Sequence, residues 1–570
     1  MRLRDEGETG GSVILRNGDH SRVVTDGFSV TCPATCEEPH DSQFDKEAPV
    51  QAATQVRWRD LPNKDQLFII ALCRLSSPLS NVGLLPYVFY LVRAALFSSE
   101  DDQVDEDIAR IAEYSGILVA AFPLAQFAVS LPWGRLSDRY GRRLSIVAGL
   151  SISILANIGF GLSRSIGALL LWRVLAGLGN ANVGLMRTAT AETVKERKYH
   201  TKAFLLIPLV FKPGMVLTMA LSGYLAEPVK NLPWAFGPSG IFNTTGNPEG
   251  VQWAVYYPYA LPALMTAGVL SFSLVLAILG LKETVPGKES YSDFGLAAGA
   301  ALVRVVRRVW PSKQKEGYVV VGDEEETSSE ESEPYDEKPK PEAEVSKTQR
   351  GVPFRRVWTR KVVCSLVSFG LLPLHNSAFM HIFPVYLSNP QADNAESTLL
   401  AFTGGLGLGS ASIGLWLSVF GICGILLQLF IYPRLQERMG TRGVFRIALV
   451  LFPVTYAAAP YLSLTTDGSV VRWVFLGLIT CSQIMARTIA IPSTVILLTQ
   501  SAPSKNVLGT IHGSGTMFAS LARAVGPAVG GYMFAVGVEH GAVGLVWWLY
   551  LMVIAICALV WSYYMDTDDA

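Results

Sequence analysis

Charge is scarce in this chain. Asp, Glu, Lys and Arg supply 16% of its 570 residues, where a soluble globular chain carries about 25%. A water-soluble protein of this length would divide into several domains with polar surfaces, and there is too little charge here to cover them. Net charge is missing as well: 47 Lys and Arg balance 47 Asp and Glu, which argues against the basic excess of a nucleic-acid binder. The seven cysteines form no disulfide framework. Cys73, Cys364, Cys423, Cys481 and Cys557 lie inside apolar runs as small hydrophobes, and Cys32 and Cys36 make at most half a zinc site. Met1–Gly11 is charged and has no apolar core, so no cleavable signal peptide is expected. No Walker P-loop, paired carboxylates, HExxH or GxSxG motif occurs, which speaks against ATP-driven transport and against an enzyme. Gly404–Gly409 copies the glycine spacing of a nucleotide loop, but no strand precedes it. Neither a cofactor nor a metal site is expected.

Apolar residues are what the chain has in quantity. They make up half of it, with a mean hydropathy of +0.33, 51 Gly and 12 Trp, a composition suited to packed membrane helices with interfacial aromatics. Stretches of about 20 apolar residues, enough to cross a bilayer, recur near 67–96, 112–133, 144–163, 167–187, 203–226, 254–280, 362–387, 409–433, 444–464, 471–498, 507–535 and 544–564. We number these spans 1 to 12. The expected fold is an all-α membrane protein with twelve transmembrane helices in two six-helix halves, 67–280 and 362–564. A polar tail (1–66) and a short one (565–570) flank the halves, and a polar linker (281–361) joins them.

Within the linker, Arg304, Arg307 and Arg308 fall on one side of Ala301–Trp310, with Leu302, Val305, Val306 and Val309 elsewhere. That pattern reads as a helix lying on anionic lipids. Residues 323–337 hold nine acids and no base, a run expected to stay disordered. Lys and Arg crowd the N-terminal tail and loops 2–3, 4–5, 6–7, 8–9 and 10–11, and nearly vacate the others. The positive-inside rule therefore puts both termini in the cytoplasm. The one N-x-[ST] sequon, at Asn243, falls in an external loop on this count and is a glycosylation candidate.

The halves resemble each other. Loop 2–3, with Asp138, Arg139, Gly141, Arg142 and Arg143, aligns at one constant offset with loop 8–9, which has Glu437, Arg438, Gly440 and Arg442. Two six-span halves with a repeated loop are the mark of a transporter with internal repeats. Gly134 and Gly141 permit a tight turn, and the arginines hold the loop inside.

The run Trp133–Arg143 closely resembles the loop 2–3 signature of the major facilitator superfamily. Arg173-x-x-x-Gly177-x-Gly179 in span 4 resembles that family's Arg-and-glycine pattern. Span 11 keeps the antiporter pattern as Gly526-Pro527-Ala528-Val529-Gly530-Gly531, while span 5 retains only Gly223 of it. Leu84–Tyr87, Tyr257–Pro262, Lys282-Glu283-Thr284 and Leu374-His375-Asn376 look like the zinc-induced-facilitator-like branch of the drug:proton antiporter group, in its fungal form. Two departures are visible: Ser77-Pro78 where fungal relatives often have Glu-Pro, and one residue inserted between Cys32 and Cys36. The resemblance implies a monomeric transporter in the plasma or vacuolar membrane, with small solutes and protons as its partners. It also implies that Asp138 reaches the start of span 11, near 504–507, and the repeat extends the idea to Glu437 and span 5. Together they would latch a cytoplasmic gate.

Six bases lie within spans: Arg74, Arg173, Arg187, Lys212, Arg487 and Arg523. No carboxylate lies in mid-span. Intramembrane charge costs about 2.5–3.5 kcal/mol on insertion scales and points to function. Arg74, Arg173, Lys212, His375, Arg487 and Arg523 are the candidates for a substrate or proton path; the plainer reading is hydrogen bonding across helices. His381 and His512 carry the same two readings. Export of a small organic solute, anionic or a metal chelate, driven by proton entry, is the expected function. A uniporter and a non-transporting sensor of the same fold stay open as alternatives.

Overall fold

The computed structural model describes residues 61–97, 108–180, 182–194, 197–284, 294–309, 358–392, 398, 400–465, 468–503 and 507–564. The N-terminal tail to residue 60, Cys32 and Cys36, and the acidic run lie outside them. Every element among the described residues is helical. Among the described residues, eight helices are long and apolar enough to cross a membrane by themselves, and one of these, Ser410–Leu464, holds two crossings that meet at a kink at Gly440.

Departures from the sequence reading have local causes. Span 1 is divided into Lys64–Cys73, Ser76–Val82 and Val88–Leu96. Pro78 and Pro86 have no N–H for the carbonyls four residues back, so the ladder is interrupted near each. Span 4 is the helix Ile166–Gly179 followed by Asn182–Thr193. Span 6 begins at Ala260, because residues before it form a separate short turn of helix, Gln252–Tyr256. The remaining crossings are Ile108–Tyr140 (span 2), Arg142–Gly161 (span 3), Arg197–Leu225 (span 5), Arg360–Ser388 (span 7), Val470–Gln500 (span 10) and Leu508–Glu539 (span 11). Spans 8 and 12 each contain a π segment, Leu427–Ile431 and Val546–Met552, the kind of local unwinding that collects at functional sites.

Side-chain caps start several of these helices. Ser165 accepts from Ala168 N at span 4, Thr359 from Val362 N at span 7, and Ser469 from Val471 N at span 10. Each satisfies one of the N–H groups that a helix start leaves without a partner. Outward-facing residues such as Leu171, Leu217, Phe272, Leu415 and Leu478 are exposed. A belt of this kind has hydrocarbon as its solvent, not water. Inside the C-terminal half, Phe379, Phe383, Phe452, Tyr456 and Trp547 form a ring-stacked core. In the N-terminal half, Ile70, Cys73, Ile146, Leu150 and Leu270 pack together.

The halves meet along two helix crossings. A carbon added at Gly116 of span 2 would strike the Pro527 carbonyl and Gly531 of span 11. One added at Gly223 of span 5 would strike the Ser410 carbonyl and Gly414 of span 8. Backbones this close require glycine on both sides. Both crossings lie toward the end of the bundle opposite loops 2–3 and 8–9. There Tyr90 Oη also donates to the Leu408 carbonyl, and Asn231 Nδ2 to Ser410 Oγ at 3.2 Å. At the end bearing loops 2–3 and 8–9, here called the basic face, Gly134 and Gly513 have nothing within 4 Å of an added carbon. Leu131, Leu136, Leu429 and Phe430 are exposed there. The bundle is closed at the face away from the basic loops and parted at the basic face.

Candidate functional site

Between the two crossings and the basic face, the in-span cations stand in unlike surroundings. Arg173 is 3% exposed. Its Nε donates to the Leu118 carbonyl at 3.3 Å, Nη1 to the Ser80 carbonyl and Nη2 to Asn81 Oδ1 at 3.1 Å, while Phe122 and Phe160 cover its plane. The fork ties spans 1, 2 and 4 together inside the N-terminal half. It borders a cavity lined also by Tyr87, Asn157, Ser222 and Thr266. Arg74 stacks on Phe211 of span 5, its guanidinium carbon 4.9 Å from the ring centre.

Lys212 and Arg487 stand differently. Lys212 follows, one turn nearer the basic face, the stretch of span 5 that meets span 8. Arg487 makes its hydrogen bond to a thioether, Met380 Sδ of span 7, at 3.4 Å. The two cations are within electrostatic reach of one another. Arg523 is exposed on span 11 and donates to Ser520 Oγ at 3.0 Å. It lies one turn from Pro527, on the face that meets span 2. His375 is fully buried inside the C-terminal half, its Nδ1 2.8 Å from Tyr456 Oη, with Gln483 Nε2 on the same hydroxyl at 3.5 Å. His381 is as buried, and neither ring nitrogen has a hydrogen-bond partner among the described residues. His512 Nε2 lies 3.1 Å from Thr499 Oγ1.

The repeated loops share one backbone solution. Gly141 has φ 113°, ψ 153°, and Gly440 has φ 67°, ψ 168°. This region of positive φ with extended ψ is open essentially to glycine alone, which explains why both loops carry glycine at the matched position. Around Gly141 a polar network forms. Glu283, after span 6, accepts from the backbone N–H of Arg142 at 2.8 Å and of Arg143 at 3.2 Å. It caps span 3, where an anion is favoured by the helix dipole. Arg142 pairs with Asp138 at 2.6 Å and with Glu192 of span 4 at 3.2 Å, and donates to Ser137 Oγ at 3.0 Å. Thr284 Oγ1 donates to Glu192 Oε2 at 2.6 Å. Arg143 reaches the Ile278 carbonyl at 2.6 Å.

Asp138 thus pairs within its own loop and is 66% exposed at its side chain. Residues 504–506, the partner that the resemblance implies, lie outside the described residues. Arg139 stacks on Tyr140, while Glu437, Arg438, Gly440 and Arg442 line the matching loop, Glu437 and Arg438 exposed. The linker helix Phe294–Val309 packs Gly295 and Gly299 on the Ile278 and Leu279 backbone at the end of span 6. The side chains of Arg307 and Arg308 lie outside the described residues. In the loop between spans 5 and 6, Asn243 Nδ2 donates to the Pro238 and Asn247 carbonyls, each at 2.8 Å. The sequon amide is engaged in holding the loop.

Every packing glycine named from sequence sits at a helix crossing. A carbon at Gly177 would meet the Phe122 carbonyl, at Gly179 Ile152 and the Gly149 carbonyl, at Gly526 the Leu374 carbonyl, and at Gly530 Ile382. Sequence reasoning missed Gly116 and Gly414, as well as the pairing of Glu192 with Arg142 and the capping role of Glu283. The spacing Ser410-x-x-x-Gly414 was the available signal for one crossing.

Comparison with known proteins follows the same lines. A sequence model of the Major Facilitator Superfamily matches residues 106–406. The chain is 32% identical over 540 residues to the major facilitator superfamily multidrug transporter mfsB of Aspergillus fumigatus, covering 90% of this chain and 85% of the relative. It is 23% identical to Protein ZINC INDUCED FACILITATOR 1 of Arabidopsis thaliana, over 82% of this chain and 84% of that protein. Among solved structures, the xylose transporter XylE from E. coli, in a partially occluded inward open conformation, superposes with a TM-score of 0.55 at 10% identity. That match covers 88% of this chain and 97% of XylE.

Proposed function

The chain belongs to the major facilitator superfamily, and from that premise we propose that it exports a small organic solute in exchange for protons by alternating access. It is a multi-pass membrane transporter of small molecules and not an enzyme, as its relatives are. The observation that carries the mechanism is the asymmetric closure. Gly116–Gly531 and Gly223–Gly414 seal one end, while Gly134 and Gly513 face open space at the other. A transporter caught with one end sealed must exchange the sealed end to complete a cycle.

We place the basic face in the cytoplasm, since Lys and Arg concentrate in its loops. The structure is then open to the inside, ready to load an exported solute. In the opposite state, Asp138 and Glu437 would meet the starts of spans 11 and 5 and hold the cytoplasmic end shut. Arg304 is exposed on the linker helix, which suits contact with anionic lipids.

Uniport is favoured by one specific observation: among the described residues, no Asp or Glu lies in mid-span to carry a proton. Purified protein in proteoliposomes decides. With a panel of labelled drugs and organic acids, uptake that rises several-fold on imposing a pH gradient supports exchange. Equal uptake with and without the gradient supports uniport and overturns the proton step.

A further inference from the structure

Lys212 and Arg487 come from opposite halves and converge beside one segment of span 8. The Val216 side chain lies against Gly421, and Ser418 Oγ donates to the Val216 carbonyl at 3.0 Å. Lys212 is the next residue along that face of span 5, one turn nearer the basic loops. On the other flank of the same segment, Gly424 lies against Ile484 and Thr488, the helical neighbours of Arg487. Span 8 then enters its π segment Leu427–Ile431, where the buried Oε1 of Gln428 has no hydrogen-bond partner among the described residues. Gly421, Gly424 and Gln428 follow each other at three and four residues, so they share a face.

Both cations sit near the middle of long helices. Each is about 20 Å of helical rise from the nearer end, Leu225 for Lys212 and Gln500 for Arg487. Lys212 has no hydrogen-bond or ion-pair partner among the described residues. The thioether that Arg487 meets is a weak acceptor. Two like charges at this depth repel each other and lack the backbone carbonyls and amide oxygen that compensate Arg173.

We propose that Lys212, Arg487 and Gln428 form the binding site for a small organic anion with two or more carboxylates, a class that includes metal-chelating acids. This rests on the transporter reading above and names the substrate class of its central path. A guanidinium takes one carboxylate in a bidentate pair, and the ammonium takes a second as a point charge. The bound anion cancels the repulsion between residues of the two halves. It therefore lets spans 5 and 10 approach at the basic face, a movement that the repulsion between the two cations resists.

The test is binding to the purified full-length protein in detergent, read as a shift in melting temperature. The probes are citrate and phthalate, with phthalamide and salt of equal ionic strength as controls. Both anions should stabilise the parent and phthalamide should not. In Lys212→Gln and Arg487→Gln the apparent affinity should fall at least tenfold, while the empty variants melt no lower than the parent, since one of two repelling charges is gone. Lys212→Glu should pair with Arg487, raise the melting temperature and abolish the anion shift. Absence of any anion shift in the parent would overturn the proposal, as would a shift of equal size in both glutamine variants. Lower melting of both empty variants would assign the charges to helix packing instead. No gradient is used, so a failure of proton coupling leaves this result standing, and loss of binding leaves proton exchange of other solutes untouched.

Discussion

At the residue scale, the two loop glycines show how much a pattern in sequence reports about backbone. Gly141 and Gly440 are matched by the offset between the halves, and both take a conformation that a side chain makes costly. Replacing either by alanine should cost about 1–3 kcal/mol of strain. The two differ in their surroundings: a carbon at Gly141 would strike the Glu283 carboxylate, whereas at Gly440 it meets nothing within 4 Å. Thermal melts in detergent should therefore fall further for Gly141→Ala than for Gly440→Ala. Equal losses would remove the role given to Glu283. The in-span cations were legible as costly residues, but their partners were not. Arg173 finds carbonyls on spans 1 and 2, and Lys212 finds another cation on span 10. Such partners depend on how helices far apart in sequence are laid together, and spacing along one helix is silent about that.

At the scale of elements, helix starts and breaks carry the most physical content. Span 3 begins at a glycine turn with no cap of its own; the carboxylate that receives its first N–H groups arrives from 140 residues away. An anion at a helix start is worth about 0.3–1 kcal/mol at the surface and up to about 2 kcal/mol when partly buried. Glu283→Gln should lower stability by about 1 kcal/mol, and Glu283→Asp should recover part of it. A melting temperature unchanged by Glu283→Gln would show that span 3 starts without this cap. The breaks of span 1 at Pro78 and Pro86 stand in the sequence as missing N–H groups. The length of the apolar run outweighed them, because apolarity reports burial in lipid and not continuity of the ladder. The short helix before span 6 was absorbed into the span for the same reason: Trp253, Tyr256 and Tyr257 are apolar enough to extend it.

At the scale of the molecule, the twelve-span organisation and the pseudo-repeat follow from run length, loop charge and one repeated motif. The state of the bundle does not, since it is set by which ends of spans 2, 5, 8 and 11 are in contact. Gly414 is placed to test that state. Its neighbours across the crossing are the Met219 carbonyl and Gly223, so Gly414→Leu inserts a wedge at the sealed end. The most direct measurement pairs spin labels in a cysteine-free background in lipid nanodiscs. One pair, at positions 131 and 513, reports the basic face. The other, at 230 and 400, reports the opposite face. Alternating access predicts that Gly414→Leu lengthens the 230–400 distance and shortens the 131–513 distance together. A lengthened 230–400 distance with the 131–513 distribution unchanged would mean that one end opens without closing the other, which contradicts the account.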